Sequence, residues 1–342
     1  VNDLKNGLVG GLHKFAVVTD DIVKDLHAEK ICNLLTEAGF TAQLFVFPNG
    51  EKSKVRKTKE EVEDAMLAAG FRRDCCIIAV GGGVVTDLAG FVAGTFGRGI
   101  PFLNYATTLL AAADASIGGK TAVDTPLATN LIGLFNQPKK VYIDIASWKT
   151  LPKRQLVSGL AETIKHACMA DIEFFAYLEE HMDDIFAFKP EVLEHVAEQN
   201  CRIKYEVVMK DELEKSLREI LNLGHTVGRA IETVSGYQLL HGEALGIGLA
   251  SEVRLGNSYG YISAADVDRV VSLLKKAGLP TEIPDYIDRE ELIHKLYTDK
   301  KVRDGKLRFV FQKGIGAVME FENGSYAIMV SEEDARRIIE EM

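Results

Sequence analysis

The stretch that decides the fold is residues 75–96, CCIIAVGGGVVTDLAGFVAGTF, where an apolar run, three glycines and a helical pattern follow one another. Residues 75–80 are apolar throughout, as expected of a parallel strand that is covered on both faces. Bare glycines between a strand and a helix let backbone N–H groups approach a pyrophosphate. The spacing is not GxGxxG, because Thr86 stands where the third glycine would be, and a plain tight turn would also explain the glycines.

The same alternation of strand and helix patterns continues on both sides of this unit. Repeated β-α units imply a parallel sheet with helices on its faces. We therefore predict a Rossmann-like α/β domain that binds a nucleotide over residues 1–150. Its predicted strands are 15–19, 42–47, 75–80, 102–106 and 141–144, and its predicted helices are 21–38, 57–69 and 85–96.

After residue 150 the apolar residues recur with a period of about 3.6, which indicates amphipathic helices. This pattern predicts a mainly α-helical domain over residues 151–342. Its predicted helices are 157–169, 172–182, 190–208, 213–223, 242–260 and 264–277, with a strand at 307–311.

Composition excludes several classes of protein. The hydrophobic content of 47% is that of an ordinary globular chain, and no apolar run approaches the roughly 18 residues of a membrane span. The net charge of −10 argues against non-specific nucleic-acid binding. Five cysteines without a CxxC pair predict a reduced, cytoplasmic protein. An anionic substrate would need a locally basic pocket in this acidic chain.

Two histidines and a carboxylate suggest a metal site. His225 follows a glycine, His241 precedes one, and Glu162 lies at the head of a helical run. Two imidazoles and one carboxylate form the ligand set of a catalytic zinc that keeps an open position. A single His–Gly step is more often a helix end than a ligand, so this pattern alone leaves both interpretations open.

Polar residues around His225 follow a helical spacing. Positions 214, 218, 222, 225 and 229 would share one face if a helix were continuous through Gly224. Glu162 and Lys165, three residues apart, would be neighbours on another helix, and a surface ion pair would explain them equally well. In the first domain, residues 116–121, SIGGKT, resemble part of a phosphate-binding loop, but Asp114 stands where its first glycine would be.

Six segments together identify the chain as similar to the 3-dehydroquinate synthase family of sugar phosphate cyclases. They occur in this order at 80–99, 106–133, 137–152, 158–166, 221–232 and 240–248, and include GGKTAVDTP, LAETIKH, LNLGHTVG and LHGEA. The resemblance extends from about residue 15 to residue 312. It implies conversion of 3-deoxy-D-arabino-heptulosonate 7-phosphate into 3-dehydroquinate and phosphate, a step of the shikimate pathway. It also implies a homodimer.

The resemblance further implies the chemistry and the cofactors. Bound NAD oxidises the C5 alcohol, phosphate leaves by β-elimination, the ketone is reduced again, and an intramolecular aldol step closes the ring. A divalent metal, typically zinc and alternatively cobalt, polarises the C4 and C5 oxygens.

Site residues follow from the same resemblance, position by position. The implied metal ligands are Glu162, His225 and His241. The implied NAD contacts are Asp20, Glu51, Lys54, Gly82, Gly83, Asp87, Thr107, Thr108, Thr129 and Thr150. The implied substrate contacts are Arg98, which would reach the neighbouring subunit's substrate, and Asp114, Lys120, Asn130 and Lys301. The implied catalytic residues are Lys165, Lys204, Glu214, Arg218, Asn222 and Arg229.

The chain departs from the family pattern at two of these positions. Arg229 stands where the family usually has a second histidine, and an arginine stays protonated and cannot act as a base. We expect Arg229 to hold phosphate while the departing phosphate oxygens take the C6 proton. Thr129 stands where a lysine usually contacts NAD, which predicts weaker cofactor binding. Another sugar phosphate cyclase, an NAD-dependent metal polyol dehydrogenase and a silent homologue remain as alternatives.

Overall fold

The computed structural model describes residues 1–298 and 307–342. The chain divides into two compact units, Val1–Leu151 and Pro152–Met342. No helix in the described part of the chain is long and apolar enough to cross a membrane.

The first unit alternates strands and helices, as the sequence predicts. The predicted helix over 21–38 is interrupted by a π-helical turn at Lys24–Ala28. The strands are β1 Lys14–Asp20, β2 Thr41–Phe47, β3 Cys75–Gly81, β4 Phe102–Ala106, β5 Lys120–Thr125, β6 Ala128–Phe135 and β7 Val141–Ile143. The helices are α1 Asn2–Lys5, α2 Asp21–Val23, α3 Glu29–Glu37, α4 Arg56–Ala68 and α5 Gly83–Thr95.

Five of these strands form a parallel sheet in the order β2-β1-β3-β4-β7. Successive residues of β1 point to opposite faces: Ala16 and Val18 pack in one apolar cluster with α4 and α5, while Phe15 and Val17 pack in another with α3. Every residue of β3 is buried. Both faces of the sheet are therefore covered, and the predicted α/β fold is confirmed.

The strand order places a ligand crevice at a known position. From β1 the chain moves outward to β2 and then crosses to β3 on the other side of β1. In such sheets, ligands bind beyond the carboxyl ends of the strands where the order reverses. Asp20 ends β1 and Gly81 ends β3, so the glycine turn lies at this point.

The hairpin of β5 and β6 was absent from the sequence prediction. Strands β5 and β6 pair antiparallel, with Lys120 opposite Phe135 and Thr125 opposite Ala128. The glycine-rich turn before β5 leads into a strand and not into a helix, so the resemblance to a phosphate-binding loop does not extend to its structure.

The second unit is mainly helical, as predicted. Helix α6 is buried over most of its length, and α10 packs against α6, α9 and α11. The helices are α6 Lys153–Ala170, α7 Ile172–Phe186, α8 Pro190–Lys210, α9 His225–Val234, α10 His241–Ser258, α11 Ala264–Lys276, α12 Arg289–Thr298 and α13 Glu332–Glu340. Strands β8 Leu307–Val310 and β9 Ala327–Val330 pair antiparallel.

The predicted helix over 213–223 is wrong. Only Leu217–Asn222 is helical there, as a 3-10 turn. Gly224 has a left-handed conformation with φ +77°, and α9 begins after it. The helical stripe from residue 214 to residue 229 therefore does not exist, because the left-handed residue changes the direction of the chain.

Candidate functional site

The glycine turn of the first unit exposes backbone at the start of α5. Gly82 caps the helix, and a Cβ there would lie 3.1 Å from Thr108 Cγ2. A Cβ on Gly83 would lie 3.2 Å from the Cβ of Ala115. Both distances are shorter than ordinary van der Waals contacts. A side chain at either position would therefore be crowded, whereas glycine fits. The first N–H groups of a helix attract a phosphate through their partial positive charge.

Polar groups surround this turn. The Thr107 hydroxyl is buried and has no hydrogen-bond partner among the described residues, although its backbone N–H donates to Gly81 at 3.0 Å. Asp20 accepts from the backbone of Ile22 and Val23 at 3.0 and 2.8 Å. A buried hydroxyl without a partner is costly in isolation. Such a group fits a site that a polar cofactor completes.

Lys54 is the cation of this region. It is 4% exposed, and its Nζ lies 2.5 Å from Asp87 Oδ2 and 3.7 Å from Glu51 Oε1. Its Nζ also donates to Asn130 Oδ1 at 2.7 Å. Burial opposes the charge, but Asp87 and Glu51 outweigh burial and raise the pKa of the Lys54 ammonium group. Lys54 therefore stays charged and joins residues from three segments.

The β5–β6 hairpin completes this cluster. The backbone N–H of Asp124 donates to the Lys54 carbonyl at 2.6 Å, and the Asp124 carboxylate accepts from Asn130 N–H at 2.7 Å. Asn130 has φ +52°, a conformation that asparagine tolerates better than most residues. Thr129, next to it, is exposed. Asp124 was missed at the sequence level, because its role depends on a hairpin that the pattern did not reveal.

The other predicted residues of the first unit are more dispersed. Thr150 accepts or donates a hydrogen bond with His27 Nε2 at 2.9 Å. Arg98 is exposed and has φ +69°. Asp114 lies in a π-helical turn, and Lys120 begins β5. Lys301 belongs to the second unit and lies outside the described residues.

The three predicted metal ligands lie together in the second unit. Glu162 is fully buried on α6, and its Oε1 lies 3.4 Å from His225 Nε2 and 3.1 Å from His241 Nε2. All three ligand atoms lie within 4.8 Å of one another. The other carboxylate oxygen pairs with the buried Lys165 ammonium group. The Glu162–Lys165 ion pair therefore lies in the protein interior and not on the surface.

Partners on the far side of each imidazole fix its orientation. His241 Nδ1 lies 3.2 Å from Glu232 Oε2, and His225 Nδ1 lies 3.2 Å from the Leu223 carbonyl oxygen. A carbonyl or carboxylate only accepts, so these bonds place a proton on Nδ1 of each ring. When both rings are neutral, their Nε2 lone pairs face Glu162, and three electron-rich atoms converge. Such an arrangement fits a divalent cation.

The pKa values reflect this convergence. Burial lowers the pKa of His225 to about 3, so that ring is neutral. Burial also opposes a charge on His241, but Glu162 and Glu232 outweigh it and raise its pKa to about 10. Burial would raise the pKa of Glu162, yet Lys165 and the two imidazoles hold it well below its usual range. Without a metal ion, a proton on His241 balances the carboxylates.

Close packing brings His241 to Glu162. A Cβ on Gly242 would lie 1.9 Å from the Ser158 carbonyl oxygen, and the Gly242 N–H donates to Ser158 Oγ at 3.0 Å. Glycine is required at this contact between α10 and α6. Glu243 accepts from the Leu240 N–H at 2.8 Å and so caps α10 beside His241.

Among the described residues of this unit, three cations are buried, which is unusual for their residue types. Lys165, Lys204 and Arg218 are 1%, 5% and 1% exposed. Arg218 donates to the Glu212 carbonyl, and Asn222 donates to Glu214 Oε1 at 3.2 Å.

Arg229 lies one helical turn after His225 and is exposed. It is close enough to contribute to the lowered pKa of that histidine. Sequence reasoning missed Glu232, although it follows His225 by seven residues and so lies on the same helical face.

Two family models match the chain. The model described as 3-dehydroquinate synthase N-terminal matches residues 44–158, and that described as 3-dehydroquinate synthase C-terminal matches residues 159–302. The 3-dehydroquinate synthase of Pelobacter propionicus is 46% identical over 314 residues, which is 92% of this chain and 86% of the relative.

Two solved structures have the same fold. The 2-epi-5-epi-valiolone synthase of Streptomyces hygroscopicus, with NAD+ and Zn2+ bound, has a TM-score of 0.88 and 29% identity over 98% of this chain and 92% of its own. A 2-deoxy-scyllo-inosose synthase complexed with carbaglucose-6-phosphate, NAD+ and Co2+ has a TM-score of 0.87 and 27% identity, over 96% and 91% of the two chains.

Proposed function

The chain belongs to the 3-dehydroquinate synthase family, and from that premise we propose that it converts 3-deoxy-D-arabino-heptulosonate 7-phosphate into 3-dehydroquinate and phosphate. The enzyme is then a carbon–oxygen lyase of the shikimate pathway, which leads to chorismate and the aromatic amino acids. The neighbours at 27% and 29% identity are cyclases for other sugar phosphates. The relative at 46% identity favours the dehydroquinate product.

One observation of this molecule carries the proposal. The buried Glu162 carboxylate faces the Nε2 atoms of His225 and His241, and buried cations lie in the same unit. Three protein ligands would leave a metal ion an open position for substrate, and the cations would attract an anionic substrate. Both features suit a metal-assisted elimination. We propose Glu162, His225 and His241 as ligands of zinc, with cobalt as the alternative ion.

When bound, NAD+ would accept and return a hydride, and the metal ion would polarise the substrate's hydroxyl oxygens. Residues of this chain supply the rest. Lys165, Lys204 and Arg218 remain buried cations that would bind the carboxylate and phosphate of the substrate. Asn222 orients Glu214, which we propose as a proton acceptor.

The first unit would hold NAD. Gly82 and Gly83 leave the helix N-terminus open to the pyrophosphate, and Thr107 offers a buried hydroxyl that lacks a partner among the described residues. Lys54 forms ion pairs with Asp87 and Glu51, and it would place a positive charge beside the cofactor. The remaining implied contacts, Asp20, Thr108, Thr129 and Thr150, stay predictions.

Arg229 would contact the phosphate. Its exposed guanidinium lies one turn from His225 and can donate two parallel hydrogen bonds to phosphate oxygens. Because arginine cannot accept the C6 proton, we propose that the departing phosphate takes it. Arg98, Asp114, Lys120, Asn130 and Lys301 remain proposed substrate contacts. Arg98 would act within a homodimer, and the five free cysteines suit a cytoplasmic enzyme.

Phosphate release from the heptulosonate phosphate, with and without added NAD+ and zinc, tests the proposal. We expect phosphate release that requires both additions in stripped protein, with no accumulation of NADH. A polyol dehydrogenase would instead accumulate NADH in proportion to product. Absence of phosphate release from fully loaded protein would contradict the proposed function.

A further inference from the structure

A buried carboxylate that belongs to none of the proposed ligand sets lies on α10. Glu252 is 2% exposed, and its Oε2 accepts the backbone N–H of Gly224 at 2.6 Å. A buried carboxylate is costly unless it is compensated by charge or hydrogen bonds. One group that compensates it, the Gly224 N–H, belongs to the residue directly before His225.

The peptide that Glu252 holds is also the peptide that orients His225. The N–H of Gly224 and the carbonyl of Leu223 are the two ends of one planar peptide group. That carbonyl oxygen lies 3.2 Å from His225 Nδ1 and accepts a hydrogen bond from it. The chain of contacts therefore runs from the Glu252 carboxylate, through one peptide group, to the far side of the imidazole.

The turn itself is shaped to receive this bond. Gly224 has φ +77°, and its own Cβ would lie 2.8 Å from Leu245 Cδ1. A Cβ on Gly248 would lie 2.0 Å from the Gly224 carbonyl oxygen. Helix α10 thus contacts the turn closely, and only glycine fits at both positions. Glu252 lies one helical turn beyond Gly248 on the same helix.

Each imidazole has a carboxylate on its Nδ1 side, in direct contact or through a peptide group. His241 Nδ1 meets the Glu232 carboxylate directly at 3.2 Å, whereas His225 Nδ1 meets a carboxylate through the intervening peptide. A carboxylate behind a histidine fixes the Nδ1–H tautomer and makes Nε2 a better electron donor. Polarisation of a peptide by an ionised acceptor strengthens the hydrogen bond that its carbonyl accepts.

We propose that Glu252 is a positioning residue for the metal site, acting on His225 through the Leu223–Gly224 peptide. It orients the ring, holds the proton on Nδ1 and directs the Nε2 lone pair toward Glu162. Because α10 also begins with His241, one helix sets both imidazoles. The inference rests on the proposed metal site and assigns Glu252 no contact with substrate.

Zinc affinity of the Glu252→Leu and Glu252→Gln variants tests the inference. Metal-free proteins are titrated with zinc against a chromophoric chelator, and with Co2+ to compare the absorption spectra. We expect Glu252→Leu to bind zinc about tenfold to a hundredfold more weakly than wild type, the range for groups that support metal ligands. Glu252→Gln keeps an oxygen acceptor without the charge, so we expect a smaller loss and partial rescue.

Asp171→Ala provides a matched control. Asp171 caps α7 in the same unit by accepting from the N–H groups of Glu173 and Phe174. Loss of this cap should lower the unfolding temperature and leave zinc affinity unchanged.

A folded Glu252→Leu protein with wild-type zinc affinity would overturn the inference. If Glu252→Leu does not fold, Glu252→Gln decides, and an unchanged zinc affinity in that variant overturns it equally. Failure of wild type itself to bind zinc would instead count against the proposed function.

Discussion

The glycine turn of the first unit and the metal cluster of the second hold their groups in different ways. The turn offers backbone N–H groups, and the absence of side chains at Gly82 and Gly83 keeps them accessible. The cluster offers side chains, and each is fixed by a partner of opposite or complementary character: Lys165 for Glu162, Glu232 for His241 and a peptide carbonyl for His225. Backbone sites depend on shape, whereas the cluster depends on a balance of buried charges.

This difference determines which changes matter. A substitution in the cluster disturbs every partner, because several titratable groups share one dry environment. A substitution at the edge of the cofactor region adds or removes one partly solvated contact. We therefore expect large effects on zinc from the cluster, and small effects that are confined to NAD from the hairpin.

Loss of the Glu162 charge should have the largest effect. Glu162→Gln changes one of the three proposed ligands, and we expect zinc affinity to fall by more than about a hundredfold, since even supporting groups cost about tenfold to a hundredfold. The buried Lys165 ammonium group would lose its ion-pair partner, so the unfolding temperature should fall as well. Zinc titration and calorimetry measure the two effects.

Glu282→Gln is the control for Glu162→Gln. Glu282 pairs with Arg254 at the surface, and its loss should change neither zinc binding nor activity. Wild-type zinc affinity in Glu162→Gln would show that the carboxylate is not a ligand.

Zinc binding should strengthen as the pH rises. The pKa of His241 is raised to about 10, so zinc must displace its proton at neutral pH. We expect apparent zinc affinity to rise about tenfold per pH unit between about pH 7 and about pH 9. Competition titrations at several pH values give the slope, and a flat profile would argue against a protonated His241.

The metal-free protein should show the opposite trend. A histidine whose folded pKa lies above its unfolded value stabilises the fold below the unfolded pKa. For His241 this contribution is complete below about 6.5 and is lost as the pH rises through about 10. The unfolding temperature of metal-free protein should therefore fall as the pH rises over this interval. Saturating zinc should remove this pH dependence.

Arg229 separates substrate binding from metal binding within the second unit. We expect Arg229→Ala to raise the KM for the heptulosonate phosphate roughly tenfold to a hundredfold, the range for one or two charge-assisted hydrogen bonds. Zinc affinity should not weaken, since Arg229 is exposed and is not a ligand. Arg229→Lys, which keeps the charge without the planar fork, should lie between the two proteins.

The Arg229→His variant tests the proton-transfer hypothesis. If phosphate itself takes the C6 proton, the wild-type chain is active and histidine brings no large gain. An inactive wild-type protein that gains activity with histidine would contradict this account.

How far the sequence predicted the site depends on the distance over which each group acts. The strand, the glycines and the helix of residues 75–96 are adjacent, so periodicity revealed them. The proposed metal ligands lie in three segments, but each has a local signature or follows from the family resemblance. Glu252 has neither, because its partner Gly224 lies 28 residues away and meets it only through the packing of α10 against the turn.

Two errors of the sequence prediction arise from features that the hydrophobic pattern encodes weakly. The stripe from residue 214 to residue 229 failed at Gly224, where a single positive φ ends the periodicity on which the inference depended. The hairpin was missed because β6 consists of exposed and partly exposed residues and has no buried apolar run. Conformation at one residue and pairing between distant residues are weakly encoded in the hydrophobic pattern.

The smallest expected effect lies in the first unit. Thr129→Lys restores the cation that the family usually has beside the Lys54 cluster. Position 129 is exposed and adjoins Asn130, whose backbone N–H donates to the Asp124 carboxylate and whose Oδ1 accepts from the Lys54 ammonium group. An added ammonium group at this exposed position stays solvated, so the fold should tolerate it, and an exposed charge pair contributes about 0.2–1 kcal/mol.

We therefore expect Thr129→Lys to tighten NAD+ binding by about two- to fivefold, an amount typical of one partly solvated charge contact. Isothermal titration with NAD+ measures the change, and Thr129→Gln controls for side-chain length without charge. Zinc affinity should stay constant, because the substitution leaves the Glu162, His225 and His241 set untouched. A parallel change in zinc affinity would show that the cofactor region and the metal cluster are coupled, and would remove the distinction between a shape-dependent and a charge-dependent site.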